Sequence, residues 1–325
     1  MMKKLLSLLL AVVIIATFGA CGDTSSTSSD STITSSSDEP QPFPVTVRDV
    51  TIGAKPTRVV SLSPMITELI CSFGYEDTLV ARSTNCVFST AVFRLPDVGT
   101  AAEPKLEDII KLSPEYVFTT QPLSEDTLTW LSKNNIAVIT IDRPNSVKEL
   151  AGLYSDLTVI FEGKLDGLVK AAKNAQAFTD KLDELKLKIE KYRNDNSLSD
   201  AVSVMMIHSL NNYIAAGSTL ENDILEYIGI SNAASDSEGY FVSDDALKSI
   251  NPHYIIISSE VDADELSTKS AYRAKAAVKN GDIISVDTSS IEKCSVSLIS
   301  TFYEIVEVMY PGVTDVELSS ETVSQ

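Results

Sequence analysis

The stretch that decides the fold is GKLDGLVKAAKNAQAFTDKLDELKLKIEKYR, residues 163–193. Its apolar side chains form two rows with a spacing of seven residues, one running Leu168, Ala175, Leu182, Ile189 and the other Ala171, Phe178, Leu185, Tyr192. The rows lie three or four residues apart, so both fall on one face of a helix. A helix of this length would be roughly 45 Å long. It is either a coiled-coil or bundle helix or a strut between two domains, and the flanking sequence must decide.

Composition limits the classes of protein to consider. A chain of 325 residues is long enough for two domains with a core each. The formal net charge of −19 argues against nucleic acid as a partner and against anionic ligands held by bulk electrostatics. His208 and His253 are the only histidines of the sequence, so we expect no histidine-rich metal site.

The first 44 residues have the composition of a leader and a tether. Residues 1–20 are predicted to be a signal peptide, because a basic start precedes the apolar run Leu5–Phe18, which is too short to span a membrane comfortably. The run ends in FGAC, which resembles the lipobox of bacterial lipoproteins, so Cys21 is the predicted site of lipidation. Residues 21–44 are predicted to be a disordered Ser/Thr tether. We therefore expect an extracytoplasmic protein anchored to the outer face of the bacterial cell membrane; an uncleaved anchor helix would give the same location.

Strands alternate with helices on both sides of the long helix. Before it, after a hairpin or edge strand at 45–52, strands are predicted at 58–62, 80–81, 116–119 and 137–141, and helices at 65–73, 105–112 and 125–134. After it, strands are predicted at 202–207 and 283–286, and helices at 222–228, 270–279 and 295–309. This alternation favours parallel sheets covered by helices.

One phrase of the first half returns in the second. LSPEYVF at 112–118 is echoed by INPHYII at 250–256, and the same offset pairs Glu107 with Asp245. Two related halves favour the strut over the coiled coil. The sequence thus predicts an α/β fold of two Rossmann-like lobes with parallel sheets, bridged by a single long α-helix. The predicted boundaries are 45–162 for the N-terminal lobe, 163–194 for the bridging helix and 195–325 for the C-terminal lobe.

Several short phrases, taken in order over residues 57–312, carry a resemblance to a known family. They are RVVSLSP at 58–64 with Thr67-Glu68, LPDVG at 95–99, LEDI at 106–109, AG at 216–217 before IL at 224–225, VS at 242–243 with Asp245, and AVKNG at 277–281. In this order they resemble the ABC-transporter substrate-binding proteins of the cobalamin, siderophore and haem type. The resemblance implies a monomer that clasps a ligand between its lobes, changes little on binding and delivers the ligand to a permease.

The resemblance also implies where the permease docks. In the family, one acid on each lobe meets arginines of the permease, and Glu68 and Asp245 are predicted to take these positions. Taken without the family, each is an exposed acid near a helix start, where the helix dipole favours it.

The ligand is expected to meet loops at the carboxyl ends of the strands. The ligand-binding candidates there are Asn85, Cys86, Phe88, Thr120, His208, Tyr213, Tyr240, Phe241 and Lys293. The aromatic members could stack on a large planar or macrocyclic ligand, although core or rim packing explains them equally well. Family members often carry an Arg-rich phrase near residue 293, where this chain has KCSVS and a single cation. Since anionic siderophores usually need several arginines, we expect a less anionic metal chelate, cobalamin or another corrinoid, with ferric siderophores or haem as the alternative.

Two cysteines, Cys86 and Cys294, fall in predicted cleft loops of opposite lobes. They could form a disulfide, touch the ligand or stay free, and we expect free thiols because a disulfide would lock the lobes. An enzyme on this scaffold is not expected, since the sequence has no Gly-rich phosphate loop, no Ser–His–Asp order and no metal-ligand cluster. We also expect no cofactor. A surface sensor or adhesin that binds without transport is the remaining alternative.

Overall fold

The N-terminal lobe is built on a parallel sheet that follows an antiparallel hairpin. The computed structural model describes residues 41–87, 89–198 and 201–314. The hairpin strands are β1 (Val45–Val47) and β2 (Val50–Ile52), and the sheet strands are β3 (Val59–Ser61), β4 (Leu79–Arg82), β5 (Tyr116–Thr119) and β6 (Ala137–Thr140). The sheet order is β4-β3-β5-β6, all parallel, as the alternation of elements predicted.

Short helices connect these strands. They are α1 (Pro64–Ser72), α2 (Thr90–Phe93), α3 (Leu106–Lys111) and α4 (Glu125–Lys133), with a 3₁₀ turn at Glu76–Thr78. α1 begins as its sequence predicts, because the Ser63 hydroxyl caps the helix by accepting a hydrogen bond from the amide of Ile66 at 3.4 Å. Pro64 occupies the first turn, where no intrahelical amide donor is required.

The long helix is confirmed, and it does not stand alone. α6 (Lys164–Asp195) has 32 residues and follows α5 (Val147–Glu162) after the single residue Gly163. The two helices pack closely against each other, and α6 also contacts α7 and α12, defined below, of the second lobe. All members of the two predicted apolar rows are buried or half-buried except Leu168, which is 46% exposed. The buried face of α6 thus packs on elements of both lobes, as the strut prediction requires.

Helix α5 was not anticipated, although its start carries a recognisable signal. The Ser146 hydroxyl accepts from the Glu149 amide at 3.1 Å, and the Glu149 carboxylate accepts from the Asn145 amide at 2.8 Å. This S-x-x-E arrangement resembles a capping box, in which the two ends of one turn satisfy each other's donors. α5 packs along the bridging helix α6 and contacts α1 of the first lobe and α7 of the second.

The C-terminal lobe repeats the plan with one departure. Its strands are β7 (Ser203–Ser209), β8 (Tyr213–Ala215), β9 (Ser231–Asn232), β10 (Tyr254–Ser258) and β11 (Ile283–Val286). The order is β11-β10-β7-β8, with β9 beside the start of β7. β8 is antiparallel, because a three-residue turn ending at Asn212, with φ of +62°, folds the chain straight back along β7. The other pairings are parallel.

The helices of this lobe are α7 (Leu220–Tyr227), α8 (Asp244–Ser249), α9 (Ala263–Thr268), α10 (Ala276–Asn280), α11 (Ser289–Glu292) and α12 (Leu298–Met309). The helix expected at 270–279 is wrong over its first half. Lys275 is extended there, with ψ of 145°, and its ammonium group donates to the carbonyls of Leu247 and Ile250 at 2.6 and 2.5 Å. The Lys275 ammonium group thus satisfies carbonyls at the C-terminal end of α8, and residues 270–274 before it form turns.

The internal echo corresponds to a repeated structural unit. Helix α3 begins at Leu106 and α8 at Asp244, while β5 begins at Tyr116 and β10 at Tyr254. Both differences are 138 residues (244 − 106 and 254 − 116). The two lobes therefore share a helix–turn–strand unit in the same register.

One apolar core runs through both lobes. It joins β3 and α1 of the first lobe, the buried faces of α5 and α6, and β7, α7 and α12 of the second lobe. A separate cluster covers the outer face of each sheet. Within the described ranges, no helix is both long enough and apolar enough to cross a membrane.

Candidate functional site

Three aromatic rings meet at the carboxyl end of β7. The His208 ring lies 5.3 Å from that of Tyr213 and 5.9 Å from that of Tyr240, and the two tyrosines stack at 5.2 Å. The next residue, Phe241, pairs with Tyr213 through a β-bridge. Four ligand-binding candidates are thus brought together. Tyr213 and Phe241 are 43% and 68% exposed, whereas His208 is buried, so these two offer the open aromatic surfaces.

Arg143 reaches this group from the opposite lobe. It lies in the loop after β6, and its guanidinium donates to the Tyr240 hydroxyl at 3.2 Å and to the Glu221 carboxylate at 3.3 Å. It also donates to the carbonyls of Ile291 and Glu292, and its cation lies 5.5 Å from the centre of the Tyr240 ring. All these partners belong to the C-terminal lobe. Arg143 therefore ties the two lobes together and covers one side of Tyr240.

Glu221 is the centre of the cluster on the C-terminal side. It lies in the first turn of α7, and its side chain is fully buried. One carboxylate oxygen accepts from the Tyr240 hydroxyl at 2.8 Å, and the other lies 3.3 Å from Arg143 and 3.4 Å from His208 Nε2. Burial acts to raise the pKa of Glu221, but His208 and Arg143 outweigh it, and the pKa is lowered. Glu221 is therefore a buried anion compensated by its neighbours.

His208 lies between two carboxylates. Its Nε2 faces Glu221 at 3.4 Å and its Nδ1 faces Glu292 at 3.6 Å, distances that make ion pairs without well-formed hydrogen bonds. Burial acts to lower the pKa of His208, but the two carboxylates outweigh it and raise the pKa to about 9. With His208 and Arg143 positive and the two glutamates negative, the four charges balance.

A second ion pair crosses between the lobes. Lys293 Nζ lies 3.6 Å from a carboxylate oxygen of Glu68, and their side chains are only 25% and 17% exposed. This placement differs from the exposed docking acid that we expected at Glu68. The reason lies on α1, where Glu68 sits between the buried residues Thr67 and Leu69 and is directed at the other lobe.

A different acid of the first lobe is the structural counterpart of Asp245. Glu107 lies in the exposed first turn of α3, as Asp245 does in α8, and the two helices start the repeated unit. The Asp245 side chain is 94% exposed. The start of α3 lies beside the carboxyl end of β4, because the Lys105 amide donates to the Val98 carbonyl and the Val98 amide donates to the Arg82 carbonyl. The start of α8 follows Val242, whose amide donates to the Asn212 carbonyl just after β7.

The cysteines lie below the cleft surface. Cys86 and Cys294 are fully buried, and these two and Cys71 are free thiols, as expected. The Cys86 sulfur lies 3.2 Å from the Thr67 hydroxyl. Burial raises the pKa of the Cys86 thiol, and it raises that of Cys294 to about 12. Neither sulfur faces the open cleft in this structure, which differs from the predicted ligand contact of Cys86.

The remaining candidates lie on the N-terminal side. Asn85 is exposed in the turn after β4, and Thr120 is half-buried immediately after β5. Phe88 and Cys21 lie outside the described residues. Among the described residues, no group of three or more His, Cys, Asp or Glu side chains is arranged to hold a metal ion.

Sequence reasoning missed Arg143, Glu221 and Glu292. Arg143 is followed by a proline and is indistinguishable from a turn residue. Glu221 did carry a signal, because it shares a helical stripe with Ile224, Leu225 and Ile228, all of which are fully buried. An acid on an apolar stripe needs a buried partner.

Known proteins share both the sequence pattern and the fold. Residues 59–289, most of the chain, match the family described as "Periplasmic binding protein". The "Uncharacterized ABC transporter substrate-binding lipoprotein YvrC" of Bacillus subtilis (strain 168) is 27% identical over 319 residues, covering 94% of this chain and 96% of that protein. A "Cobalamin-binding protein" of Halobacterium salinarum is 22% identical over 269 residues, covering 77% of this chain and 70% of its own.

A solved structure extends the match to three dimensions. The "Periplasmic Heme Binding Protein" of Pseudomonas aeruginosa superposes with a TM-score of 0.62 at 20% identity, covering 79% of this chain and 94% of that one. At this identity the likeness establishes a shared fold. The chain belongs to the periplasmic binding protein family, and is a substrate-binding protein of an ABC transporter rather than an enzyme.

Proposed function

We propose that this protein captures a metal chelate of the corrinoid class, such as cobalamin, between its lobes and delivers it to the permease of an ABC importer. The observation that carries the proposal is the pair of exposed aromatic rings, Tyr213 and Phe241, at the carboxyl end of the C-terminal sheet. Both rings are exposed, so each offers a surface on which a macrocycle can stack. Tyr240 stacks on Tyr213 at 5.2 Å and is itself held by Arg143, whose cation lies 5.5 Å from its ring centre.

The charges of the cleft support a weakly charged ligand. Arg143 is paired with Glu221, and Lys293 with Glu68. An anionic siderophore would have to separate one of these pairs before it gained a cation. The relative that is named as a cobalamin-binding protein agrees with this choice.

We further propose that the permease docks on Glu107 and Asp245. Both are exposed, both lie in the first turn of equivalent helices, and both lie towards the cleft edge of their lobes. Carboxylates in such positions pair readily with arginines of a partner. We also retain the predicted anchor, in which Cys21 carries a lipid and the chain up to residue 44 links it to the first lobe; the lipoprotein name of the Bacillus relative agrees with it.

Titration calorimetry with the purified chain tests the ligand. Cyanocobalamin is expected to bind at one site per molecule, and haemin and a ferric catecholate siderophore at least about tenfold more weakly, a difference of about 1.4 kcal/mol. Tighter binding of haemin or the siderophore would move the proposal to that ligand class. Ligand binding without any association with the permease would favour a surface sensor.

A further inference from the structure

We infer that the exposed start of α6 is a membrane-contacting face, which lies on anionic lipid headgroups in the anchored protein. The inference rests on the proposed lipid anchor at Cys21. It goes beyond the proposed function, because it concerns a surface used neither for the ligand nor for the permease. It also accounts for Leu168, the one member of the predicted apolar rows that the fold leaves exposed.

Apolar side chains form an exposed stripe along the first turns of α6. Leu165, Leu168 and Val169 are 62%, 46% and 64% exposed, and Ala172, one turn later, is exposed as well. Their spacing of three and four residues places them on one face of the helix. Gly167, on the opposite face, is buried against α5. Large apolar side chains left in water at adjoining positions indicate a surface that meets an apolar partner.

Lysines flank the stripe. Residues 164–173 contain Lys164, Lys170 and Lys173 but a single acid, Asp166, so their net charge is +2 (3 − 1), whereas that of the whole chain is −19. Lys164 and Lys173 are exposed, and a lysine can bury its stem along apolar surface while its ammonium group reaches a headgroup. Anionic headgroups would neutralise these cations. A symmetric dimer through the stripe would instead bring the same lysines together.

Two acids of α5 come close to the stripe, and each has cations of its own. Asp156, which lines a groove at the edge of the stripe, lies 2.8 Å from Arg48. Glu162 lies 3.3 Å from Lys55 and 3.4 Å from Lys170. These acids are thus compensated by cations other than the two exposed lysines of the stripe.

The chain that leads back to the proposed anchor leaves the fold beside this face. The Lys164 amide donates to the Pro42 carbonyl at 3.0 Å, so Pro42 lies against the first turn of α6. Pro42 follows the predicted lipidation site, Cys21, by 21 residues (42 − 21). A bilayer that holds the lipid is therefore joined to the folded protein next to the stripe.

The face lies away from the cleft. Lys170 donates to the Phe73 carbonyl at 2.8 Å, and its ammonium group lies 4.2 Å from the centre of the Tyr75 ring. Tyr75 directly precedes the 3₁₀ turn that leads into the amino end of β4, whereas the ligand is expected at the carboxyl ends of the strands. Contact through the stripe would therefore leave the cleft uncovered by the bilayer.

Quenching by lipid tests this face on the full chain as its host processes it. Val169→Trp places an indole in the stripe. Leu187→Trp is the matched control, because Leu187 is also 64% exposed and lies 18 residues (187 − 169), about five turns, further along the same side of α6. Trp130 is common to both variants. In phosphatidylglycerol vesicles with brominated acyl chains, the emission of Val169→Trp should be quenched about twofold more strongly, because an interfacial helix buries its apolar face at the acyl boundary.

The lysines should determine the lipid preference. Lys164→Glu with Lys173→Glu, made in the Val169→Trp chain, should remove most of the additional quenching. Lys186→Glu with Lys191→Glu reverses two exposed lysines later in α6 and should keep it. Vesicles of phosphatidylcholine, which has no net charge, should quench Val169→Trp less than those of phosphatidylglycerol. Far-ultraviolet circular dichroism establishes that each variant is folded.

Flotation of the unaltered protein with the same vesicles separates the inference from the proposed anchor. A protein that does not float has neither an anchor nor a membrane face, and both claims would fail. Flotation with equal quenching at the two tryptophan positions would keep the anchor and overturn the face. A dimer in analytical ultracentrifugation that Val169→Asp abolishes would make the stripe an interface between copies, which would also overturn the inference.

Discussion

Arg143 of the N-terminal lobe and Glu221 of the C-terminal lobe form an ion pair of 3.3 Å in which the carboxylate is fully buried. Through this pair, the Arg143 side chain of the N-terminal lobe contacts a buried polar cluster of the C-terminal lobe. The Tyr240 hydroxyl and His208 Nε2 interact with the same Glu221 carboxylate. Removal of the arginine would leave the buried Glu221 carboxylate with less compensation.

Arg143→Met is therefore expected to lower the free energy of unfolding by about 3 kcal/mol. Arg48→Met is the matched control, because Arg48 pairs with Asp156 at 2.8 Å but is 46% exposed, and its loss should change the free energy by at most about 1 kcal/mol. Urea unfolding monitored by circular dichroism measures both. Equal losses would show that burial of Glu221 does not set the strength of the pair.

His208 should make stability depend on pH. Its folded pKa of about 9 lies above the ordinary value of 6.5, so protonation stabilises the folded state fully below pH 6.5, and this stabilisation is lost as the pH rises through 9. Relative to His208→Asn, the unaltered protein should lose up to about 3 kcal/mol between about pH 6 and about pH 10. A parallel profile for His208→Asn would contradict the assignment.

The exposed aromatic rings should contribute directly to ligand affinity. Tyr213→Ala and Phe241→Ala are each expected to weaken cyanocobalamin binding roughly tenfold, since each removes one stacking surface. Trp130→Ala is the control, because Trp130 is 36% exposed on α4, away from the ends of the strands. Calorimetry suits this comparison, as Trp130 is the only tryptophan of the chain and fluorescence would be altered by its loss. Unchanged affinity in both cleft variants would place the ligand elsewhere.

Charge reversal at Glu107 or Asp245 should weaken binding to the permease and leave ligand affinity unchanged. Glu107→Arg and Asp245→Arg are expected to reduce association with permease-containing vesicles at least tenfold, because like charges would then face each other. Ligand affinity measured on the isolated protein should not change. Asp77→Arg makes a charge reversal of the same sign in the exposed 3₁₀ turn directly before β4, at the opposite edge of the sheet, and should bind the vesicles normally. Full association of both docking variants would refute the assignment.

The close approach of α5 and α6 should depend on one glycine. The Thr158 hydroxyl donates to the Gly167 carbonyl at 2.8 Å, and a Cβ at Gly167 would lie 2.6 Å from the Val159 Cα. Gly167→Ala must push the helices apart and should destabilise the protein by about 1–3 kcal/mol. Gly152 lies in α5 with open space at its Cβ position, so Gly152→Ala should stabilise by about 0.5–1 kcal/mol. Melting curves of the two variants should shift in opposite directions.

The sequence was most informative where the signal is local. The apolar rows of α6 predicted a continuous helix because burial repeats every seven residues along the chain itself, and the echo predicted two lobes because helix and strand recur at a fixed offset. The antiparallel β8 was not visible, since three turn residues can join strands or lead into a loop. Its existence depends on the conformation of Asn212.

The polar centre of the site lay beyond sequence reasoning because its partners are far apart along the chain. Arg143 and Glu221 are separated by 78 residues along the chain. Lys293 and Glu68, which meet in space, are separated by 225 residues (293 − 68). Only Glu221 carries a local sign of burial, through its apolar helical stripe, and nothing local identifies its partner. Tyr213, Tyr240 and His208 were found because their loops follow predicted strands, but the contact of Arg143 with the Tyr240 ring could not be predicted from the sequence.

The apolar core that passes from one sheet through α5 and α6 to the other has a consequence for folding. Neither half of the chain can complete its interior without the helix pair, and the pair itself is covered on one side by each half. The lobes repeat a pattern, yet they are not separable modules. The chain should therefore fold and unfold as one cooperative unit. Because the two lobes share one apolar core, folding itself should set the position of the cleft between them.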